Sequence, residues 1–200
     1  MEEAKSKIKR AYNKVYSTLK PLATFLYPLR HTGRENIPKG PAIVCANHSN
    51  YIDPVLLAFS FGRENLIHFM AKKEILSVPI LGPILRKCGV FPVDRENSDI
   101  DAIRTAMKCL RNGEKILIFP EGTRRNTDNA VEAKTGAVRI ACKMKVPIIP
   151  VCIPRRKKIF GRVTVNIGKP YYVEGSTHED FLRLSDELMD RINSMQGRKA

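Results

Sequence analysis

Apolar side chains at Ile8, Tyr12, Val15, Leu19, Leu22 and Leu26 recur at alternating steps of four and three. That is the spacing of one stripe on an α-helix, and it predicts an amphipathic helix over residues 4–20, bent or broken at Pro21. From Pro41 onward the pattern changes to short apolar runs alternating with helical stretches. Strands are expected at 42–46, 66–70, 89–93, 115–119, 147–153 and 163–167, and helices at 54–61, 73–76, 80–88 and 132–144. The run Lys115 to Phe119 is apolar almost throughout, as a strand covered on both faces requires. Ser98 caps a further helix with Ile100, Ile103, Met107 and Leu110 on one face, which Asn112-Gly113 ends. Thr177 with Asp180 forms a capping-box signature ahead of Phe181, Leu184, Leu188, Ile192 and Met195. This alternation defines the expected fold class: α/β, a single domain with a largely parallel central sheet flanked by helices.

Charge sharpens the picture. The chain carries 35 Lys and Arg against 20 Asp and Glu, a net charge of +15. Such a surface attracts anions, whether nucleic acid, anionic lipid headgroups or phosphorylated substrates. Lys5, Lys7, Lys9, Arg10, Lys14, Lys20 and Arg30 face only Glu2 and Glu3 in the N-terminal stretch, which also holds Tyr12, Tyr16, Phe25 and Tyr27. A basic helix of this kind lies in a membrane interface with its apolar side down, or docks on its own domain with the lysines in water. Residues 1–30 are expected as an amphipathic membrane-association segment and residues 31–200 as the α/β domain. No stretch approaches the ~20 uninterrupted apolar residues of a spanning helix, and the N-terminus lacks a signal-peptide pattern. The expected location is the cytoplasmic face of the cell membrane, peripherally attached. Aromatics interleaved along a basic strand face, the mark of single-stranded nucleic-acid binding, are missing, so no nucleic-acid partner is expected. Five cysteines without ligand spacing read as free thiols in a reducing compartment, with no metal site.

Polar residues gather at the ends of the apolar runs, where open α/β sheets bind ligands. Asn47, His48 and Asp53 follow the first of these runs. Pro54 suits the first turn of a helix and Asp53 its N-cap. A turn can also fold the Asp53 carboxylate back onto the imidazole, making a base and its orienter; the bland alternative is a cap and a surface histidine. Asp94-Arg95 follows Gly89 to Val93, and Pro120-Glu121-Gly122-Thr123-Arg124-Arg125 follows Ile116 to Phe119. Gly122 permits close backbone approach to a ligand, and Arg124 offers a fork that fits phosphate or carboxylate.

In this order the clusters resemble the four blocks of the glycerolipid acyltransferase family, over roughly residues 30 to 175. Asn47-His48 with Asp53 matches its His-x4-Asp block, and Gly89-Val90-Phe91-Pro92-Val93-Asp94-Arg95 the second. Phe119-Pro120-Glu121-Gly122-Thr123-Arg124 matches the third, and Val146-Pro147-Ile148-Ile149-Pro150-Val151 the fourth. Many members of that family carry Ser two residues after the His and an aromatic next; here those places read Asn50 and Tyr51, with Ser49 standing one step early. The resemblance implies that a fatty acyl chain moves from an acyl thioester (acyl-CoA or acyl-carrier protein), without further cofactor, to the free hydroxyl of 1-acyl-glycerol 3-phosphate (lysophosphatidic acid). Alternative acceptors are another lysophospholipid, glycerol 3-phosphate or a lyso-ornithine lipid. His48 would be the general base and Asp53 its orienter. Arg95, Glu121, Gly122, Thr123 and Arg124 would bind the phosphate and glycerol, with Asn47, Gly89, Pro120 and Pro147 supporting the site. Backbone N–H groups of the turn 120–123 are expected to hold the oxyanion.

Overall fold

Five consecutive buried residues, Ala42–Ala46, form strand β2 at the middle of the sheet. The computed structural model describes residues 2–93, 100–122, 124 and 133–196. In chain order these build α1 (Glu2–Leu26), β1 (Leu29–Thr32), β2, α2 (Asp53–Phe61), β3 (Ile67–Lys72), α3 (Lys73–Ser77) and α4 (Leu81–Lys87). There follow β4 (Phe91–Val93), α5 (Ile100–Arg111), β5 (Lys115–Ile118), α6 (Gly136–Met144), β6 (Ile148–Cys152), β7 (Val163–Ile167) and α7 (His178–Ser194). Among the described residues the sheet runs β1-β7-β6-β2-β5-β3-β4, and every pairing is parallel except β6 with β7.

Alternation along β2 splits the core between the two faces. Ile43 and Cys45 join Ala106, Leu110, Val138, Leu188 and Ile192 of α5, α6 and α7. Ala42, Val44 and Ala46 turn the other way, onto Leu56, Leu57 and Phe61 of α2. Because β2 is covered on both sides, its sequence reads as an unbroken apolar run.

Helix α1 continues through Pro21 rather than breaking there. The N–H that proline lacks would have bonded the carbonyl four residues back, at exposed Ser17, where water can serve it. One face of α1 docks: Tyr12, Tyr16 and Ala23 are buried against Ala58, Phe59 and Cys88, with the Tyr16 and Phe59 rings edge to face at 5.0 Å. Leu19, Leu22 and Phe25, on the adjacent face, stay exposed. Strand β1, which the sequence pattern did not announce, spans the expected boundary at residue 30 and pairs with β7.

Helix α5 turns differently from expectation. Ala102, Ala106, Met107 and Leu110 are buried, whereas Ile100 and Ile103 are exposed, so small alanines face the core. The expected cap Ser98 and the start of the 132–144 helix at Glu132 lie outside the described residues. The capping box of α7 forms as expected: Asp180 N donates to Thr177 Oγ1 at 3.1 Å, and Thr177 N to Asp180 Oδ2 at 3.1 Å. Backbone N–H groups of Ser176 and Thr177 hold the Asp180 carboxyl down at about 2.

Candidate active site

Strand β2 delivers the chain to Asn47, whose side chain prolongs the sheet ladder. Its Nδ2 donates to Ile153 O at 2.7 Å, and its Oδ1 accepts from Ile153 N at 2.9 Å. The next residue, His48, is buried with Nδ1 3.0 Å from Asp53 Oδ2. The same oxygen accepts from Ser49 N and Asn50 N, each at 2.8 Å. Asp53 is therefore not the helix cap the sequence suggested. It lies in the first turn of α2 with its carboxylate turned back over the preceding loop. Burial works to raise the Asp53 carboxyl, but the His48 hydrogen bond, the Lys157 charge and the Ser49 amide outweigh it and hold the group below its ordinary value. In the neutral ring, a carboxylate at Nδ1 favours the tautomer with its proton there, which leaves the Nε2 lone pair free. Phe119 stacks on the ring, centroids 3.9 Å apart and planes 14° from parallel.

The segment after β6 ties the two polar loops together. Arg155 donates from Nη2 to Glu121 Oε1 at 2.8 Å and from Nη1 to Glu121 Oε2 at 3.2 Å, both side chains buried. Lys157 Nζ lies 2.7 Å from Asp53 Oδ1 and 2.9 Å from Ser49 Oγ, its side chain wholly buried. Ser49 Oγ donates to Arg155 O at 2.8 Å. Neither cation stood out in the sequence. They belong to the basic run Arg155-Arg156-Lys157-Lys158, whose available signal is that it directly follows the strand beside β2.

His48 lines an apolar cavity of about 320 Å³ with Tyr16, Ala58, Phe59, Phe69, Leu85 and Phe119. Lys72 and Arg124 line it too. The Arg124 guanidinium stacks 3.7 Å from the Tyr51 ring centroid and donates to Tyr51 Oη at 2.9 Å. Lys72, at the end of β3, was not expected among the site residues.

The remaining candidates separate. Pro120 is buried at the end of β5, and its carbonyl accepts from Lys134 N at 2.9 Å. Gly122 has φ +67, and a Cβ there would sit 2.7 Å from Lys134 Cε. Its N–H closes the turn onto Phe119 O at 3.0 Å, so it points into the turn and not at an oxyanion as expected. Gly89 and Pro147 are not brought to His48. Gly89 O meets His68 Nδ1 at 2.9 Å near the start of β3, and Pro147 O accepts from Ile43 N at 3.0 Å near the start of β2. Both act at the opposite ends of the parallel strands. Arg95 and Thr123 lie outside the described residues.

Other reactive side chains stand apart. His68, Glu114 and Cys109 cluster at the amino ends of the strands, with His68 Nε2 3.2 Å from Glu114 Oε2. Cys45 is fully buried toward α5–α7, and burial pushes its thiol far up, which removes it as a nucleophile.

The fold is an α/β domain with a mostly parallel sheet, and it sets His48 and Asp53 just past the carboxyl end of β2, beside an apolar cavity that Lys72 and Arg124 also line. The Acyltransferase family profile matches residues 28–154. The 1-acyl-sn-glycerol-3-phosphate acyltransferase of Bacillus subtilis (strain 168) is 34% identical over 175 residues, covering 82% of this chain and 86% of that protein. The protein of the same name from Streptococcus pneumoniae is 35% identical over 156 residues, 75% of this chain and 55% of that protein. The crystal structure of the 1-acyl-sn-glycerophosphate (LPA) acyltransferase PlsC from Thermotoga maritima superposes with a TM-score of 0.68 at 26% identity, covering 98% of this chain and 80% of that chain. The chain belongs to the acyltransferase family.

Proposed function

We propose that this protein transfers a fatty acyl chain from an acyl thioester, acyl-CoA or acyl-carrier protein, to the free hydroxyl of 1-acyl-glycerol 3-phosphate, giving phosphatidic acid. One observation carries the reading: His48, oriented by Asp53, lines an apolar cavity that Lys72 and Arg124 also line. The acceptor is the one named for the Bacillus and Thermotoga relatives. Apolar walls suit an acyl chain, and the two cations suit a phosphate.

In this mechanism His48 Nε2 takes the proton of the acceptor hydroxyl as its oxygen attacks the thioester carbonyl. Asp53 holds the imidazole in register and stabilises the imidazolium that forms. The tetrahedral intermediate collapses by breaking the carbon–sulfur bond, and the proton on Nε2 passes to the departing thiolate. The donor is already activated, so no enzyme nucleophile is needed. Glu121, engaged by Arg155, acts by shaping the turn that carries Arg124.

The membrane is the source of the acceptor in this reading, with the protein held peripherally at its cytoplasmic face. Among the described residues no helix is long and apolar enough to cross a bilayer. Leu22, Phe25, Ile80 and Phe160 are 59%, 68%, 79% and 63% exposed. Leu19 and Leu81 are exposed and also line the cavity, which makes this apolar surface continuous with it. Residues 1–30 thus serve as dock and membrane contact together, with 31–200 as the acyltransferase domain.

The test is acyl transfer from labelled acyl-CoA, and separately from acyl-carrier protein, to lysophosphatidic acid in vesicles. Wild type transfers from at least one donor, and His48→Ala loses at least ~100-fold. Full activity in His48→Ala removes it as the base. Failure of wild type with both donors, against transfer to another lysophospholipid, glycerol 3-phosphate or a lyso-ornithine lipid, reassigns the acceptor.

A further inference from the structure

Asp53 has two effects on His48 that oppose each other. It fixes the imidazole's orientation through Nδ1, which a base needs. Its negative charge at 3.0 Å also favours the imidazolium, which has no lone pair and cannot act as a base. Buried surroundings strengthen that second effect, because little solvent screens the pair.

We propose that Lys157 is the positioning residue that resolves this conflict: its ammonium, on Asp53 Oδ1, cancels the carboxylate's charge while Oδ2 keeps its grip on His48. The geometry divides the work between the two oxygens. Oδ2 accepts from His48, Ser49 and Asn50, whereas Oδ1 faces Lys157 Nζ at 2.7 Å. Lys157 also donates to Ser49 Oγ, so the ammonium is anchored to the loop that carries His48. Both side chains of the ion pair have no solvent exposure, so the charges act on each other and on the ring next to them.

Other charges near the dyad come from three elements and do not substitute for Lys157. Glu121, on the turn after β5, is engaged by Arg155. Arg124, on the same turn, is stacked on Tyr51, and Lys72 at the end of β3 lines the cavity. Phe119, stacked on the imidazole, is uncharged. The dyad as it stands is therefore a three-residue unit, Lys157–Asp53–His48.

The proposal rests on the acyl-transfer reading, and the pH profile of kcat/KM tests it separately. Lys157→Gln keeps a hydrogen-bond donor and removes the charge. Its acidic limb is expected to move up by about one pH unit, lowering the rate about tenfold on the acidic side of the limb and leaving it near wild type at alkaline pH. Lys157→Arg retains the charge and leaves the limb in place. Asp53→Asn/Lys157→Met, which leaves no charge in the slot, retains a limb near that of wild type on its residual activity. This double variant keeps the test available if Lys157→Gln does not fold. A Lys157→Gln limb at the wild-type position, whatever the loss in kcat, reduces Lys157 to a structural role, as does a double variant displaced upward by a full unit. Inactive wild type, by contrast, sinks the acyl-transfer reading itself.

Discussion

Glu121 and Arg155 meet through two hydrogen bonds, 2.8 Å and 3.2 Å long, with both side chains out of solvent. The contact joins the turn after β5 to the segment after β6, across β2, which runs between them in the sheet. The pair therefore spans the strand that carries His48.

Removing one partner of such a pair strands a buried charge. Glu121→Ala is expected to lower unfolding stability by about 3–5 kcal/mol, measured by urea denaturation. Glu121→Met with Arg155→Met, which removes both charges, is expected to recover most of that loss. Equal losses in the single and double variants would show that the pairing itself contributes little.

Acid should loosen the site in a definite direction. The Asp53 carboxyl lies below its ordinary value in the folded protein. Its contribution to stability is full above the unfolded carboxylate range, about pH 4, and is lost as pH falls through the depressed folded value. Thermal melts from pH 6 to pH 2 should therefore fall more steeply for wild type than for Asp53→Asn, once the Asp180 contribution common to both is allowed for. Parallel curves would contradict the depressed Asp53.

The cavity should set acyl-chain preference. Ala58 is buried on α2 and lines the space beside His48. Ala58→Phe shortens that space, so kcat/KM for long-chain donors or acceptors should fall by about 10–200-fold relative to short-chain ones. An unchanged ratio means the acyl chains lie elsewhere.

Membrane attachment should follow the exposed apolar side chains. Leu22→Ser with Phe25→Ser removes two large groups, each worth about 1.5–3 kcal/mol on full burial. Vesicle co-sedimentation should weaken at least ~100-fold, while turnover on detergent-dispersed substrate stays near wild type. Retained vesicle binding would assign the contact to another surface.

Much of this was legible in the chain. The strand Ala42–Ala46 and the Thr177–Asp180 box were recoverable because each depends on residues within a few positions of one another. The His48–Asp53 contact was recoverable for the same reason, although the capping role given to Asp53 was not what its carboxylate does. Spatial partners brought by distant segments were hidden. Arg155 and Lys157 are more than 100 residues from Asn47 and Ser49, and only the placement of β6 beside β2 gives their charges anything to meet. Gly89 and Pro147 belonged to the right sequence blocks but fall at the wrong ends of their strands, since a block marks continuity along the chain and not proximity to the reacting atoms. In α5 the expected stripe held at Met107 and Leu110, whereas Ala102 and Ala106, not Ile100 and Ile103, complete the buried face against β5 and α6.

The pairing of Leu29 with Val163 also sets an order of assembly. Among the described residues, β1 has no neighbour in the sheet until β7 has been made. During synthesis β1 must wait, and so must β6, whose outer edge is closed by β7 and by the Ile148–Tyr171 bridge. Contacts of such long sequence separation form slowly, since the intervening chain must first be brought together. A chain stopped short of residue 163 would leave both edges open to other strands. The nascent protein is thus open to strand pairing by other chains until β7 emerges.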